Sequence, residues 1–291
     1  MQGHRSRTSD WVAALRALYT GAPAGLEIAP DPVAEGLLPP LLALEVRALR
    51  RSPLVMRLGH RALGALTRGL TYGIPLRTAA IDAAIRGGLA DGIRQLVVLG
   101  AGLDARAFRM GELRETHVYE LDHPLTQAYK RERILGRRPL ARGHRLCAID
   151  FERDRIGDVL GAAGFRADEP SFWLWEGVTM YLTPAAIDAS LDAIAGASAA
   201  RSRLAMTYSA AAAVPRWAWH TARFIAAGIG EPLCGPMSSA DVHARLGARG
   251  FAVHSDDCAR EWVRRYWPAS EHHRAEEYER LVVAERHAPA P

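Results

Sequence analysis

The sequence predicts an α/β fold, with a doubly wound, parallel sheet of about seven strands and helices on both faces. Two observations predict it: short apolar runs recur from residue 94 onwards, and helical patterns separate most of them. A continuous apolar run of this length is typical of a central strand buried on both faces. Strands that alternate with helices predict right-handed crossovers, which make neighbouring strands parallel.

The predicted strands and helices follow one another in a simple order. The strands are 94–100, 117–122, 145–150, 171–177, 203–209, 251–257 and 280–286. The helices between them are 124–135, 152–163, 184–196 and 240–249. Residues 258–279, before the last strand, are polar and aromatic and match neither pattern.

The first 90 residues differ from the rest because they contain no strand pattern. Predicted helices lie at 11–19, 33–50, 53–68 and 77–90, and Pro39-Pro40 interrupts the second. We therefore expect an N-terminal helical cap, residues 1–90, before an α/β domain, residues 91–291. Residues 210–240 are too long for a simple connection after the fifth strand, which predicts a lid insertion there.

The composition argues against several classes of protein. The chain has 291 residues, of which 49% are hydrophobic and 24% charged, a balance typical of soluble globular proteins. Its 37 basic and 32 acidic residues are spread along the chain, so we expect no nucleic-acid partner. No apolar stretch approaches the ~18 residues of a membrane span, so we expect no membrane partner. Three cysteines without metal-ligand spacing predict no metal site and a cytoplasmic location; no pattern indicates an oligomeric state.

A glycine-rich turn follows the first strand. Gly100, Gly102 and Asp104 lie in the segment GAGLDA, where glycines let the backbone turn sharply and let a ligand approach it. The pattern fits nicotinamide, flavin and S-adenosylmethionine sites equally, and a tight turn without a ligand also has it. Arg106 and Arg109 flank the turn and are equally consistent with surface salt bridges.

Acidic residues end the second and third strands. Asp122 can accept hydrogen bonds from both hydroxyl groups of a ribose, or cap the next helix. Asp150 can accept from the amine of an adenine while Phe151 packs against the ring. The alternative is a helix cap followed by an ordinary core aromatic residue.

Glu176 ends the fourth strand, inside the segment FWLWEGVTMYLTP. The carboxyl ends of central strands border the crevice where open α/β sheets bind ligands. Because burying an unpaired charge is costly, an acid here needs a cationic partner. The ammonium group of S-adenosylmethionine is such a partner, whereas a dinucleotide has no cation at this position. Glu176 therefore favours S-adenosylmethionine over a nicotinamide cofactor.

These motifs together resemble the leucine carboxyl methyltransferase family, in particular its bacterial members that act on small molecules. The resemblance covers most of the chain and rests on the segments WVAALRALYT, Asp31-Pro32, RTAAID, QLVVLGAGLDARAFRM, YELDHPLTQAYKRERI, IDFE, FWLWEGVTMYLTP and LVVAER. It implies a class I methyltransferase, Rossmann-like fold with S-adenosylmethionine as cofactor. The family includes enzymes that methylate a protein C-terminal carboxylate and transferases similar to the tetracenomycin-pathway carboxyl O-methyltransferases.

The resemblance also implies a role for each candidate cofactor-binding residue. Arg77 would bind the cofactor carboxylate, for which a guanidinium fork is suited. Gly100 and Gly102, with Asp104 in the same turn, would border the methionine portion. Asp122 would hold the ribose, and Asp150 and Phe151 would flank the adenine. Glu176 would contact the amino-acid end of the cofactor.

The predicted reaction is O-methylation of a small acceptor that carries a carboxyl or hydroxyl group. Tyr181 could present a hydroxyl group to the acceptor, or simply pack against the following helix. His220 is the main candidate base, although a lone histidine is commonly structural. Trp217, Trp219 and Phe224 surround it in sequence and form either a flat substrate pocket or ordinary lid packing.

Two other functions fit part of the sequence. An NAD-dependent oxidoreductase would use Gly100, Gly102 and Asp122, but it leaves Arg77 and Glu176 without a role, and the chain has no evident Tyr-x-x-x-Lys pair. A catalytically silent S-adenosylmethionine-binding protein would use the same site without transferring a methyl group. Calorimetry with S-adenosylmethionine and with NAD distinguishes the oxidoreductase from a methyltransferase. Methyl-transfer assays distinguish the silent binding protein from an active enzyme.

Overall fold

The fold is described by a computed structural model over residues 8–23, 25–66, 70–151, 153–211, 233–269 and 279–287. Its helices are α1 (Thr8–Tyr19), α2 (Ala34–Leu37), α3 (Pro40–Arg50), α4 (Pro53–Leu66), α5 (Leu70–Ala90), α6 (Arg106–Arg109), α7 (Pro124–Arg133), α8 (Ile156–Ala162), α9 (Pro184–Gly196), α10 (Ser239–Gly247) and α11 (Ala259–Tyr266). Its strands are β1 (Gln95–Leu99), β2 (His117–Asp122), β3 (Gly143–Ala148), β4 (Phe172–Trp175), β5 (Arg203–Ser209), β6 (Phe251–Cys258) and β7 (Glu279–Arg286). Short 3₁₀ turns lie at Gly111–Glu115 and Thr179–Tyr181.

Within the described residues, seven strands form one sheet in the order β3-β2-β1-β4-β5-β7-β6. The pairs among β1 to β5 are parallel, as the sequence predicts, but β7 runs antiparallel to both β5 and β6. The prediction of a wholly parallel sheet is therefore wrong for β7. A buried apolar run has the same pattern in either direction, so it does not predict which way a strand runs.

Helices cover both faces of the sheet, and β1 shows how the sequence achieves this. Successive side chains of a strand point to opposite faces. Leu96 and Val98 join a core with residues of α1, α2 and α5, whereas Val97 and Leu99 join a second core with residues of α8 and α9. The continuous apolar run of β1 is thus explained by burial on both sides.

The helices agree with the predicted pattern in part. Pro39-Pro40 interrupts the second predicted helix, since α2 ends before this pair and α3 begins at Pro40. The helix predicted at 77–90 begins earlier, at Leu70, and contains Pro75. The glycine turn leads into a single helical turn, α6, and α11 forms in a segment that the sequence left unassigned.

Two boundaries predicted from the sequence stay predictions. Residues of α1 and α5 share one core with the sheet, so the division at residue 90 separates elements that pack together. Most of the predicted lid, 210–240, lies outside the described residues, and Ala210 forms a parallel bridge with Met237 across it. None of the described helices is both long enough and apolar enough to cross a membrane.

Candidate functional site

A cavity of about 410 Å³ lies at the carboxyl ends of β1, β2 and β4. Its wall includes Gly100 after β1, Asp122 at the end of β2 and Glu176 after β4. β1 pairs with β2 on one side and with β4 on the other, so the strand order reverses here. Ligands of open α/β sheets bind at such a switch point.

The cavity brings together every residue for which the sequence predicts a cofactor contact. These residues are Arg77, Gly100, Gly102, Asp104, Asp122, Asp150, Phe151 and Glu176. Tyr181, the candidate hydroxyl donor, lines the same cavity. The other predicted acceptor-site residues, His220, Trp217, Trp219 and Phe224, lie outside the described part of the chain.

The glycine turn packs closely against β2 and the segment after β4. The amide N–H of Gly102 donates to Oδ2 of Asp122 at 2.6 Å. Gly100 has φ of +65°, a left-handed conformation that glycine adopts without steric cost. A Cβ atom on Gly100 would also lie 2.6 Å from Cγ2 of Val178, so the close approach itself requires glycine.

Asp122 remains able to accept hydrogen bonds from a ligand. Its Oδ1 accepts the amide N–H of His123 at 2.6 Å, and Oδ2 accepts that of Gly102. Burial raises the pKa of the Asp122 carboxyl, and these two hydrogen bonds offset that rise only in part. A carboxylate has about four acceptor sites, so lone pairs are left for ligand hydroxyl groups.

Glu176 is held from two sides by arginines of the chain. Its Oε1 accepts from Nε of Arg77 at 2.9 Å, and its Oε2 accepts from Nη1 of Arg106 at 3.0 Å. Burial alone would raise the pKa of Glu176, but the two guanidinium groups outweigh it and lower the pKa to about 2. Contrary to the expectation from the sequence, Glu176 therefore does not need a ligand cation as its partner.

Arg77 connects Glu176 to the last strand. Its Nη1 donates to Oε1 of Glu279, the first residue of β7, while its Nε donates to Glu176. Burial would lower the pKa of Arg77, but the two carboxylates outweigh burial and raise it. The guanidinium is therefore charged and fixed in orientation at the cavity wall.

Comparison with known families agrees with this geometry. The family model described as leucine carboxyl methyltransferase matches residues 10–195, from α1 to α9. The chain belongs to this family. The matched span contains β1 to β4 and all the described residues predicted to bind the cofactor.

Relatives of this family member occur in Mycolicibacterium and Streptomyces. A protein of Mycolicibacterium vanbaalenii is 41% identical over 139 residues, 47% of this chain and 45% of the relative. One of Streptomyces coelicolor is 34% identical over 150 residues, 51% of this chain and 53% of the relative. Both carry the name "Putative S-adenosyl-L-methionine-dependent methyltransferase". The chain thus spans about half the length of the curated relatives it matches.

The fold of this family member is the class I methyltransferase fold. A crystal structure described as a putative methyltransferase from Thermobifida fusca aligns with a TM-score of 0.58 over 97% of this chain and 98% of that one. The sequence identity is 15%, so this likeness concerns the fold alone.

Asp150 and Phe151 follow β3 at the rim of the cavity. β3 ends at Ala148, two residues earlier than the sequence predicts. Phe151 is 48% exposed, so it is not the core aromatic residue that the sequence left as an alternative. Oδ2 of Asp150 lies 3.5 Å from Nε of Arg153. Both residues thus border open space in the cavity.

Tyr181 ends the 3₁₀ turn that follows Glu176 and Gly177. Its Oη donates to Oγ1 of Thr8 at 3.5 Å, which connects this turn to the start of α1. The backbone oxygens of Met180 and Tyr181 accept from the N–H and the Sγ of Cys234. The Tyr181 ring is half-buried and lines the cavity rather than packing against α9 alone.

Arg106 is a buried residue of the site whose role its sequence context does not reveal. This residue is only 1% exposed, so the reading of it as a surface salt-bridge partner is wrong. Its Nε donates to Oδ1 of Asp82 at 2.8 Å, and its Nη1 donates to both Asp104 and Glu176. Both carboxylate oxygens of Asp104 accept from Arg106, one of them from the backbone N–H. Asp104 therefore holds the arginine as well as lining the cavity.

The ionic network continues from Asp82 to α1. Arg109 donates from Nη1 to Oδ2 of Asp82 at 2.7 Å, and its Nε lies 3.5 Å from Oδ2 of Asp31. The same oxygen of Asp31 lies 3.2 Å from Nε of Arg16. Arg16 lines the cavity and donates from Nη2 to the carbonyl oxygen of Leu103 at 2.6 Å.

One sequence signal could have revealed this network. Asp82 lies within AAIDAAI, a charged residue in an otherwise apolar stretch of helix. A buried carboxylate must be paired, so such an acid predicts a buried cation elsewhere in the chain. Local spacing does not say which arginine is the partner, because Asp82 and Arg106 lie on different elements.

Four backbone N–H groups of the glycine turn donate within the protein. Those of Gly100 and Ala101 donate to Leu121 O, that of Gly102 to Asp122, and that of Asp104 to Ala101 O. The helix that follows, α6, has only four residues. A pyrophosphate site needs free amides and the N-terminus of a longer helix, so this turn is unlike a dinucleotide site.

No group of three or more histidine, cysteine or acidic side chains is arranged to hold a metal ion in the described part of the chain. The carboxylates at the cavity are instead paired with guanidinium groups. The chemistry available to these residues is therefore binding and orientation of a polar organic ligand.

Proposed function

We propose that this protein is an S-adenosylmethionine-dependent methyltransferase whose cofactor binds in the cavity at the ends of β1, β2 and β4. The observation that carries the proposal is that one cavity presents the Arg77–Glu176 pair together with the Asp122 carboxylate. These groups match the amino-acid part and the ribose of the cofactor. The names of the relatives, which belong to those proteins, support the same cofactor.

Arg77 has donors left for the cofactor carboxylate. Its Nε and Nη1 are used by Glu176 and Glu279, whereas its Nη2 has no hydrogen-bond partner among the described residues. Gly177 lies beside that nitrogen, since a Cβ atom there would be 3.7 Å from it. The remaining edge of the guanidinium suits a planar carboxylate.

The charge of the ionic network also suits this ligand. Within the described residues, the carboxylates of the network are Asp31, Asp82, Asp104, Glu176 and Glu279, and its cations are Arg16, Arg77, Arg106 and Arg109. The network therefore has one more negative than positive charge. A zwitterionic methionine end with its sulfonium carries one net positive charge, which complements that excess.

The nucleoside part of the cofactor would lie against Asp122, Asp150 and Phe151. The ionised Asp122 accepts from ribose hydroxyl groups, which are stronger hydrogen bonds than those to a neutral acceptor. Phe151 has exposed ring surface at the cavity, so adenine would cover apolar area that water now contacts. The occupied amide groups of the glycine turn disfavour the dinucleotide alternative.

We propose O-methylation of a carboxyl or phenolic or enolic oxygen of a small, secondary-metabolite-like acceptor. When bound, the cofactor supplies an electrophilic methyl group on a sulfonium. The acceptor oxygen bonds to the methyl carbon as the carbon–sulfur bond breaks, and sulfur keeps the electron pair. A carboxylate acceptor, with a pKa of about 4, has no proton to lose at neutral pH. The protein then needs only to hold the oxygen in line with the bond that breaks.

A carboxylate acceptor would need orientation by the cavity wall but no base. His123 is the only histidine among the described residues that line the cavity, and its Nδ1 accepts from the amide N–H of Leu125 at 3.3 Å. A phenol or enol would require a general base within hydrogen-bond reach. Tyr181 can donate to a carboxylate oxygen, which would orient the acceptor without proton transfer.

Calorimetry tests the cofactor proposal. We expect wild-type protein to bind S-adenosylmethionine and S-adenosylhomocysteine, and Arg77→Met to weaken both about 10- to 100-fold, as expected for loss of charged hydrogen bonds. Arg86→Met is the matched control because Arg86 pairs with Glu112 on the exposed surface. Binding of NAD without binding of S-adenosylmethionine would overturn the proposal.

Methyl transfer tests the reaction separately. Protein with radiolabelled S-adenosylmethionine is incubated with a panel of carboxylic acids and phenols, and the products are separated before and after mild alkaline hydrolysis. Esters lose the label on hydrolysis, whereas aryl ethers retain it. A protein that binds the cofactor but methylates no member of the panel would favour the silent-binding alternative.

A further inference from the structure

Arg106 is the most deeply buried cation of the ionic network. It is 1% exposed and is not among the described residues that line the cavity. It nevertheless donates to Glu176, which does line the cavity, and to Asp82 and Asp104. A residue in this place cannot touch a ligand directly but can determine how Glu176 meets one.

We propose that Arg106 is a positioning residue: it holds the carboxylate of Glu176 in the plane and charge state that bind the amino-acid end of the cofactor. This inference rests on the proposed function, since it assumes that the cavity takes S-adenosylmethionine. It goes beyond that function because it assigns selectivity for one part of the ligand to a side chain outside the cavity.

The geometry explains why Glu176 needs a second arginine. Rotation about the bond to a carboxylate is broad, so a single hydrogen bond does not fix the plane of the group. Arg77 holds Oε1 and Arg106 holds Oε2, so both oxygens are fixed at once. With the carboxylate plane set, the lone pairs that remain point in defined directions for a ligand ammonium group.

Contacts with Asp82 hold Arg106 in place. Its Nε donates to Oδ1 of Asp82, and Arg109 donates to both oxygens of Asp82, at 2.7 and 2.9 Å. Asp82 is buried and is not part of the described cavity wall. The orientation of Glu176 thus depends on a chain of contacts, Arg109 to Asp82 to Arg106, that lies outside the wall of the cavity proposed for the cofactor.

The charged groups around Glu176 set its ionisation. Those that face it or act on it are Arg77 from α5, Arg106 from α6, Arg16 from α1 and Asp104 from the glycine turn. Glu279 from β7 acts through Arg77. Burial and the charge of Asp104 both disfavour the ionised form of Glu176, and the arginines favour it. Without Arg106, one of these cations is lost, so the pKa of Glu176 would rise.

Two ligands separate positioning from general stabilisation. S-adenosylhomocysteine has the amino-acid end, whereas 5′-methylthioadenosine has the same nucleoside and sulfur without it. For Arg106→Gln, we expect affinity for S-adenosylhomocysteine to fall about 10- to 100-fold, the range for hydrogen bonds to charged groups. Affinity for methylthioadenosine should change less than about 3-fold, because this molecule has no amino-acid end that could contact Glu176.

The pH profile is a second readout that a purely structural role would not move. The ratio of the two affinities should be constant between pH 7.5 and 5 in wild-type protein, because the pKa of Glu176 is about 2. In Arg106→Gln the ratio should begin to fall at a higher pH than in wild-type protein, because loss of the guanidinium raises the pKa of Glu176. Arg106→Lys, which keeps the charge, should restore a constant ratio but only part of the affinity.

Further variants keep the proposal testable if Arg106→Gln does not fold. Asp82→Asn leaves every cavity side chain in place and should lower the affinity ratio in the same direction. Arg86→Met, in an exposed pair with Glu112, should leave the ratio unchanged. The proposal would be overturned if Arg106→Gln and Asp82→Asn lowered the affinities for S-adenosylhomocysteine and methylthioadenosine equally. It would also be overturned if the ratio of these two affinities stayed at its wild-type value in both variants. Wild-type protein that binds neither ligand would instead overturn the proposed function.

Discussion

Oε1 of Glu176 lies 2.9 Å from Nε of Arg77, although the two residues are 99 positions apart in the chain. The contact joins α5 to the end of β4 and is largely buried. A carboxylate whose pKa is lowered in the folded state stabilises the fold above its unfolded pKa. That stabilisation is lost as the pH falls through the folded-state value.

Stability should therefore depend on Glu176 in a defined pH window. The folded-state pKa is about 2 against an ordinary value of 4.5; at 1.36 kcal/mol per pKa unit, this corresponds to about 3 kcal/mol at neutral pH. Urea unfolding should show Glu176→Gln less stable than wild type at pH 7, with the difference shrinking between pH 4.5 and 2.

The control for this prediction is Glu115→Gln. Glu115 is exposed and lies 3.6 Å from Arg94, and an exposed pair contributes little. Its free energy of unfolding should stay close to that of wild type at every pH. A difference between wild type and Glu176→Gln that is the same at pH 7 and pH 3 would contradict the prediction.

Gly100→Ala should destabilise the protein through two separable causes. Its φ of +65° costs an alanine about 1–2 kcal/mol. Its Cβ would meet Cγ2 of Val178 at 2.6 Å, and overpacking of this kind costs about 1–3 kcal/mol. The double variant Gly100→Ala/Val178→Ala should recover the stability lost to the overlap with Val178 but not the stability lost to the positive φ. Thermal and urea unfolding measure both losses.

Gly157→Ala is the matched control, since a Cβ there meets no atom within 4 Å. It should be neutral or stabilise the protein by up to about 1 kcal/mol. If Gly100→Ala were as stable as wild type, the described packing of the glycine turn against the segment after β4 would be incorrect.

Phe151→Ala should weaken binding of the nucleoside with little loss of stability. The side chain is 48% exposed, so truncation removes few core contacts. Stacking of a base on an aromatic ring contributes about 1–3 kcal/mol, so affinity for methylthioadenosine should fall at least 5-fold. Leu135→Ala is the control, because Leu135 is a more exposed apolar residue outside the described cavity wall. Unchanged affinity in Phe151→Ala would remove Phe151 from the proposed adenine site.

Asp122 should make nucleoside binding sensitive to acid. Because burial raises its pKa, the carboxylate becomes protonated at a higher pH than an ordinary aspartate. Affinity for methylthioadenosine should therefore decline on acidification before the ordinary aspartate range near pH 4 is reached. Asp122→Asn should bind about 10-fold more weakly at pH 7 and show no such decline. Equal pH profiles for the two proteins would show that another group titrates.

The strands and the cavity could be predicted from the sequence for one physical reason. Parallel strands end at the same edge of the sheet, so Gly100, Asp122 and Glu176, each at the end of an apolar run, had to lie close together. The direction of β7 could not be predicted, because the apolar run at 280–286 has no signal for it.

The ionic network behind the cavity could not be predicted because its pairs join separate elements. Arg106 contacts Asp82 on α5 and Glu176 after β4, and no local spacing relates these residues. From the sequence, a ligand cation is expected beside Glu176, whereas two arginines of the chain already contact it. The presence of a buried charge was predictable, but its partner depends on the tertiary fold.

Tyr181→Phe should impair methyl transfer without weakening cofactor binding. The Tyr181 hydroxyl lies at the cavity, 3.5 Å from Oγ1 of Thr8, and is proposed to orient a carboxylate acceptor. Loss of one hydrogen bond to a charged acceptor should lower kcat/KM about 10-fold. Affinity for S-adenosylhomocysteine should stay within about 2-fold of wild type, since that ligand does not need the hydroxyl. Tyr119→Phe is the control, because the Tyr119 hydroxyl donates to Gly164 O, outside the described cavity wall. If Tyr181→Phe lowered cofactor affinity and kcat/KM by the same factor, Tyr181 would belong to the cofactor site, and the acceptor would have to be oriented by other residues.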